Sequence, residues 1–317
     1  MALQYKDIFL RPEKCIVNSR SECDISAKLG GYTFASPVAI SNMKSIQTID
    51  ICQKFDKKNW FYIYQRIDGA ENTLNFVRLA NKESWRVISI SVGIKDSDIR
   101  LIEKLKVENL RVNFITIDVA LSYTDRIIPV INCVRKNFPE AFLIVGNGCT
   151  KEWIKFLEEQ KVDCAKINIG VSTSCRTRQF SAFGCSPISA LQECAEASKK
   201  ITLLSDGGLT VEDGEVWIGD AAKAIRFGAD FVLSGSLFSR CLDSPSILSG
   251  YYGNASRVAK GNNHVEGTKV NVETNGLTIE QQMDLISDSL KSSVSYAGGK
   301  DLSALKNVKF DILNHQL

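Results

Sequence analysis

The sequence predicts an α/β fold: one (β/α)8 TIM barrel spanning residues 1–317 as a single domain, with a long loop after strand eight. Three observations carry this. Eight short, apolar, β-branched runs recur along the chain, and they are near-continuous rather than alternating, as in strands buried on both faces of a parallel sheet. Stretches with apolar residues at helical spacing separate them. The first run is followed by Ser41-Asn42-Met43-Lys44-Ser45, not by the G-x-G-x-x-G turn that opens a doubly wound dinucleotide-binding sheet. A length of 317 residues suggests two domains at roughly 100–200 residues each, but barrels often run to about 250 residues as one unit.

The strand runs are 37–41, 60–64, 86–92, 112–118, 141–146, 164–170, 201–208 and 230–235. Between them, 46–55 and 124–138 have helical periodicity, and 151–161 places Trp153, Ile154, Phe156 and Leu157 on one face. Thr150 is the expected N-cap of that helix, and Glu152 suits its N-terminal dipole. Pro187 opens the next helix, where proline is tolerated. Residues 220–227 form another, stopped by Gly228. The polar, Gly- and Asn-rich region 240–278 has no clear period and is expected as a long functional loop in the last strand-to-helix connection. Residues 279–298 restore a helical pattern.

Composition narrows the function. Apolar residues are 44% of the chain and charged residues 24%, which excludes collagen, a disulfide mini-domain and a disordered chain. A net charge of +3, from 39 basic and 36 acidic residues, gives no bulk attraction to nucleic acid or to an acidic membrane. No 18-residue apolar run offers a membrane span, and the N-terminal stretch has no signal-peptide apolar region. The ten Cys show no C-x-x-C spacing and only His264 and His315 accompany them, which disfavours a zinc site. The expectation is a reducing cytoplasm, with the thiols mostly buried as small hydrophobes.

Barrel chemistry sits at the C-terminal ends of strands. Strand four ends at Asp118, strand five at Gly146-Asn147, strand seven at Asp206-Gly207-Gly208 and strand eight at Gly235-Ser236. The loops after strands seven and eight are the usual barrel phosphate site, and glycine there lets a phosphate approach backbone N–H groups. Asp206 is placed to accept from a ribose diol. Strand six runs into a polar loop carrying Cys175 between Ser174 and Arg176, followed by Thr177 and Arg178. Nearby guanidinium groups and backbone dipoles would favour thiolate there, and Thr177 offers a hydroxyl to shuttle a proton.

Taken together, the ordered motifs resemble the GMP reductase/IMP dehydrogenase family, from LQYKDIFLRP (3–12) to SSVSYAGGK (292–300). The densest part is KINIGVSTSCRTR (166–178), similar to the family's catalytic cysteine loop, followed in family order by DGG (206–208), GDAAKAIRFGADFVLSGS (219–236) and YYG (251–253). The resemblance implies a purine nucleoside monophosphate substrate, a nicotinamide cofactor (NADPH, with NADH possible) and addition of the Cys175 sulfur to purine C2. DVALSY (118–123), SNM (41–43), the absence of a roughly 120-residue regulatory CBS-type insertion and a short 253–267 loop without an Arg-Tyr pair resemble the reductase branch. That branch implies reductive deamination of GMP to IMP and ammonia. By the same resemblance, Thr177 and Glu266 form the proton-transfer pair. Thr173, Gly208, Gly235, Ser236 and Tyr252 match phosphate-binding positions, with Gly207, Gly253 and Gly267 beside them, and Asp206 matches the ribose-binding Asp. Asp118, Ala120, Gly146 and Asn147 are the cofactor-side candidates. The carbonyls of Gly170 and Cys175 match part of a monovalent-cation site such as one for K+, and a homotetramer is implied.

The chain also departs from the family. G-P-G-S before the cysteine is Gly170-Val171-Ser172-Thr173, Met-Ser-Ser after Y-G is Asn254-Ala255-Ser256, and H-K-H-Y after strand two is Tyr64-Gln65-Arg66-Ile67. An Arg and a Ser near the catalytic Glu are Asn263 and Val265. The phosphate and ribose grip is kept while base-reading positions change, and hydrogen-bonding pockets discriminate by orders of magnitude. The alternatives are therefore a reductase for a deoxy or 7-deaza guanine nucleotide, an IMP dehydrogenase-like activity, and a non-catalytic nucleotide-binding protein.

Overall fold

A computed structural model describes residues 2–261 and 266–313. Seven parallel strands form one curled sheet, in the spatial order Val38–Ile40, Phe231–Ser234, Thr202–Asp206, Cys164–Ile167, Phe142–Gly148, Phe114–Asp118 and Ser89–Val92. Each is buried along most or all of its length, as the near-continuous apolar runs require. Register sets the strand ends side by side: Asp118 pairs with Gly146, Ile167 with Ser205, and Leu233 with Asp206.

The run 60–64, expected as the second strand, makes single parallel bridges instead of a ladder, Tyr62 with Ile40 and Tyr64 with Ile90. The reason is the buried Gln47 side chain. Its Nε2 donates to the Ile63 carbonyl (2.9 Å) and its Oε1 accepts from Gln65 N–H (3.1 Å), so an amide takes the main-chain groups that a strand partner would use.

Helices alternate with the strands. Thr48 and Thr150 cap Ile49–Lys57 and Lys151–Glu159 by accepting from the N–H groups of Ile51 and Trp153. Pro187 stands at the first turn of Pro187–Ala197. The expected helix 124–138 divides into a 3-10 turn, Asp125–Ile127, and the helix Ile128–Asn137. Helices Ala70–Lys82 and Asp96–Val107 fill the two connections around Ser89–Val92. Gly228 (φ +110°) follows the helix Asp220–Arg226. A Cβ there would lie 2.5 Å from the Ala195 Cβ, so glycine both ends the helix and lets it pack on its neighbour.

Region 240–278 is not a plain loop. It carries the short helices Ser246–Ser249 and Arg257–Lys260 and an antiparallel ribbon of Tyr251–Tyr252 with Lys269–Val270. Two further ribbons lacked enough periodicity to be read from sequence: Val211–Glu212 with Glu215–Val216, and Ala27–Leu29 with Tyr32–Phe34 across Gly30-Gly31. The second closes the N-terminal end of the strands, where Phe34, Phe61 and Phe231 meet edge to face and Phe114 lies tilted against Phe34 and Phe61. Tyr251–Tyr252 and the loop after Cys164–Ile167 lie at the opposite end.

All ten Cys are free, but the burial expected of nine of them holds fully for five: Cys23, Cys52, Cys164, Cys194 and Cys241. Cys133, Cys149, Cys175 and Cys185 are half-buried and Cys15 is exposed. Among the described residues no helix is long and apolar enough to cross a membrane.

Phe114 is fully buried and its ring meets those of Tyr32, Phe34, Phe61 and Phe142. Phe114→Ala is expected to cost about 3–5 kcal/mol, read as a lowered melting temperature in calorimetry. An unchanged melting temperature would contradict this account of the core.

Candidate active site

The C-terminal ends of the strands surround a cavity of about 200 Å³. On one wall the loop after Cys164–Ile167 is strapped to a second segment far away in sequence. Arg176 N–H donates to the Glu266 carbonyl (2.7 Å) and Thr268 N–H to the Ser174 carbonyl (2.9 Å), with Cys175 facing Gly267 in an antiparallel bridge. Cys175 N–H closes a turn onto the Ser172 carbonyl (3.0 Å). The strap brings three side chains into line. Thr177 Oγ1 donates to Glu266 Oε2 (2.9 Å) and lies 3.1 Å from Cys175 Sγ. With the hydroxyl proton on Glu266, the Thr177 oxygen accepts from the thiol, and a proton route runs from sulfur to carboxylate. Arg176, expected to lend positive charge to the thiol, instead engages Gln179 Oε1 (3.0 Å) and the Phe180 ring (4.6 Å).

The opposite wall is built on charge. Lys166 projects from the buried strand Cys164–Ile167, and its side chain is 2% exposed. Its Nζ lies 2.6 Å from Asp206 Oδ2 and 3.0 Å from Asp118 Oδ1. Asn147 Nδ2 donates to Asp206 Oδ2 (2.9 Å) and to the Asn168 carbonyl (2.8 Å). Arg66 donates from Nε and Nη2 to the Asp118 carbonyl (3.0 and 2.7 Å). Burial pushes the Asp118 carboxyl up, but Lys166 and then Arg66 more than reverse this and hold it at about 2. Burial pulls Lys166 down, and Asp206 and Asp118 together hold it above its ordinary value.

Most of the expected site residues meet here. Cys175, Thr177, Glu266, Asp206, Gly207, Gly235, Gly253, Gly267, Asp118, Ala120, Asn147 and Gly170 line the cavity. Five do not. Thr173 is exposed on the turn before Cys175. Tyr252 is buried, its carbonyl accepting from Ser45 Oγ (2.8 Å). Ser236 Oγ lies 3.4 Å from Ser234 Oγ. A Cβ on Gly208 would touch Val171 and Pro187. At Gly146 a Cβ would lie 2.5 Å from the Lys166 Cβ and 2.7 Å from its carbonyl oxygen, so this glycine admits the neighbouring strand. Gly207 turns with φ +71° and nothing lies within 4 Å of where its Cβ would be. Its N–H, expected to be free for a phosphate, closes onto the Leu233 carbonyl (2.8 Å). Asn263, Val265 and His264 lie outside the described residues. Among the described residues no group of three or more His, Cys, Asp and Glu is arranged to hold a metal ion.

Sequence reasoning missed Lys166, Arg66 and Asn168. The available signal was a lysine inside an otherwise apolar strand, since buried lysines are rare unless paired.

A family model for the IMP dehydrogenase / GMP reductase domain matches residues 2–315. The chain belongs to this family. Among its relatives are the GMP reductases of Staphylococcus saprophyticus (37% identical), Pediococcus pentosaceus (38%) and Bacillus subtilis (37%). Each match covers 99% of this chain, and 96%, 97% and 96% of the relative in turn. The similarity therefore runs through both halves of the strap, the Cys175 loop and the Glu266 segment alike.

The family member's charged wall predicts its acid response. Asp118 is held below the ordinary carboxylate value of about 3.9, so its pairing contributes full stability above about pH 4 and loses it as the pH falls toward about 2. Lys166→Met leaves two carboxylates without their buried cation. It is expected to cost about 3–5 kcal/mol at neutral pH and to remove the gain between about pH 2 and pH 4. Denaturant unfolding across that range checks this, and identical pH profiles for variant and parent would refute it.

Proposed function

We propose that the chain is a GMP reductase-type oxidoreductase that converts a guanine nucleoside monophosphate, GMP, to IMP and ammonia at the expense of NADPH. The observation that carries this reading is the aligned thiol, hydroxyl and carboxylate of Cys175, Thr177 and Glu266 at the cavity. The Cys175 sulfur bonds to purine C2 while its proton passes through Thr177 to Glu266. Returned along the same route, the proton leaves with the 2-amino group as ammonia, giving a covalent purine–sulfur adduct. NADPH, when bound, supplies a hydride to C2. The carbon–sulfur bond then breaks, sulfur keeps the electron pair, and IMP departs. Asp206 holds the ribose, and main-chain groups at Gly235 and Gly253 in the cavity wall hold the phosphate.

The cofactor is assigned to the Asp118, Ala120 and Asn147 side. The residues present there suit its phosphates. Arg66 and Lys260 line this side, and burial and the charge of Arg66 lower Lys260 below its ordinary value, a state that a bound anion relieves. NADH is the weaker alternative. The carbonyls of Gly170 and Cys175 are the proposed oxygen ligands of a monovalent cation such as K+.

The same reading takes residues 1–317 as one (β/α)8 barrel, with 60–64 as the eighth strand between the two edges of the sheet. It takes the assembly as a homotetramer and its compartment as the cytoplasm. Retention of all three aligned side chains argues against a non-catalytic nucleotide binder. A second reading keeps the chemistry and changes the base or the sugar of the substrate. Asn254 Nδ2 donates to the Asn42 carbonyl (2.8 Å), which leaves Asn254 Oδ1 buried without a donor. An altered hydrogen-bonding pocket of this kind is what motivates a deoxy or 7-deaza guanine nucleotide as the alternative substrate.

NADPH oxidation is expected with GMP, dGMP or a 7-deazaguanine nucleotide. Cys175→Ala should abolish it while nucleotide binding persists, and Glu266→Gln should lower kcat by about 10²–10⁴. Absorbance assays and a binding titration read both. Absence of turnover with every member of that panel, in either cofactor direction, overturns the proposal, and IMP oxidation alone would move it to the dehydrogenase branch.

A further inference from the structure

Behind the Cys175 loop lies a second cavity of about 410 Å³, with Cys149 and Cys185 both in its wall beside Gly184 and Arg178. Cys149 follows directly after the strand Phe142–Gly148, and Cys185 precedes the helix Pro187–Ala197. Both thiols are half-buried, and both flank residues 168–169: Asn168 N–H donates to the Gly148 carbonyl (3.0 Å) just before Cys149, and Cys185 pairs with Ile169, which places the two side chains within hydrogen-bonding reach of each other. Neither belongs to the catalytic chain of Cys175, Thr177 and Glu266.

Cys185 is also tied to the root of the catalytic loop. Its Sγ accepts from Ile169 N–H (3.2 Å), and its own N–H donates to the Ile169 carbonyl (3.0 Å). The Sγ also lies 3.7 Å from Asn168 Oδ1. Asn168 Nδ2 reaches the Asp206 carbonyl (3.4 Å), and the Asn168 carbonyl holds Asn147, which holds Asp206 Oδ2. A change at Cys185 therefore acts on residues 168–170, from which both the catalytic loop and the ribose-side Asp206 are positioned.

We propose that Cys149 and Cys185 are an oxidisable pair that a peroxide closes to a disulfide, loosening the root of the Cys175 loop and slowing turnover. The contact with Cys185 lowers Cys149 below its ordinary thiol value, and the same contact together with burial raises Cys185. Cys149 attacks and Cys185 resolves, and exchanging the two roles gives the same disulfide. The Cys149 sulfur attacks one peroxide oxygen and the O–O bond breaks, giving a sulfenic acid and one water. The Cys185 sulfur then attacks that sulfenic sulfur and displaces a second water. Two thiols are oxidised and one peroxide is reduced. Bonding requires the sulfurs to close to about 2.05 Å, which draws Cys185 Sγ off the Ile169 N–H.

The test uses the full chain and has a readout that does not depend on the proposed activity. In Cys175→Ser protein, hydrogen peroxide is expected to lower the intact mass by two hydrogen atoms, with peptide mapping linking Cys149 to Cys185. In the parent enzyme, with nucleotide protecting Cys175, peroxide is expected to reduce turnover on the order of tenfold to a hundredfold. Dithiothreitol should restore it, while Cys149→Ser and Cys185→Ser stay at their untreated rates. Free Cys149 and Cys185 after oxidation, a bridge from either to Cys194, or a mapped bridge with unchanged turnover each overturns the proposal. If no nucleotide is turned over at all, the mass and mapping arm still decides the pairing.

Discussion

One buried lysine organises the working end of this fold. Lys166 stands between Asp118 and Asp206, each on a strand that closes one side of its own neighbourhood, and it is almost wholly withdrawn from water. A lone ammonium in that position would be prohibitively costly, so both carboxylates must face it, and both strand ends are fixed in turn. Gly146 follows from the same constraint, since only a residue without a Cβ lets the Lys166 strand approach so closely. Asn147 and Asn168 extend the network by hydrogen bonds to the loop that carries Cys175. The rigid floor under the reactive loop is thus an ionic cluster with its hydrogen bonds satisfied, laid over a core of strands and aromatic rings.

Against that floor the side chains of Cys175, Thr177 and Glu266 are held by main-chain bonds. The thiol and hydroxyl come from one loop and the carboxylate from another, 89 residues from Thr177. Two N–H···O=C bonds on either side of the Cys175–Gly267 pair set their spacing. Main-chain pairing tolerates change in the side chains around it, which explains how Val171 and Asn254 can replace the residues usual in the family while the three reactive groups remain aligned.

Much of this was legible in the chain. Seven of the eight apolar runs are strands, close to the expected bounds, because burial on both faces leaves a period-free apolar signature that turns and helices do not share. The eighth run, 60–64, was legible as extended chain but not as a bridge-only segment, because Gln47, 16 residues from Ile63, takes its main-chain groups. The Asp206, Gly207 and Gly235 positions were visible at strand ends. That Gly207 uses its N–H within the sheet was not, because sequence reports a residue's type and not the partner of its amide.

The sequence by itself determined the α/β class of fold and the family, since periodicity and ordered motifs survive without coordinates. Tertiary structure alone decided that Arg176 points to Phe180 instead of to the thiol and that Lys166 neutralises two acids from the middle of an apolar strand, and it brings Glu266 onto Thr177, the pair the resemblance implied. It also decided that Cys149 and Cys185 touch. The contacts of Lys166, Glu266 and Cys149 join segments far apart in the chain, fixed by packing and pairing that no local pattern encodes, whereas Arg176 turns to Phe180 only four residues on.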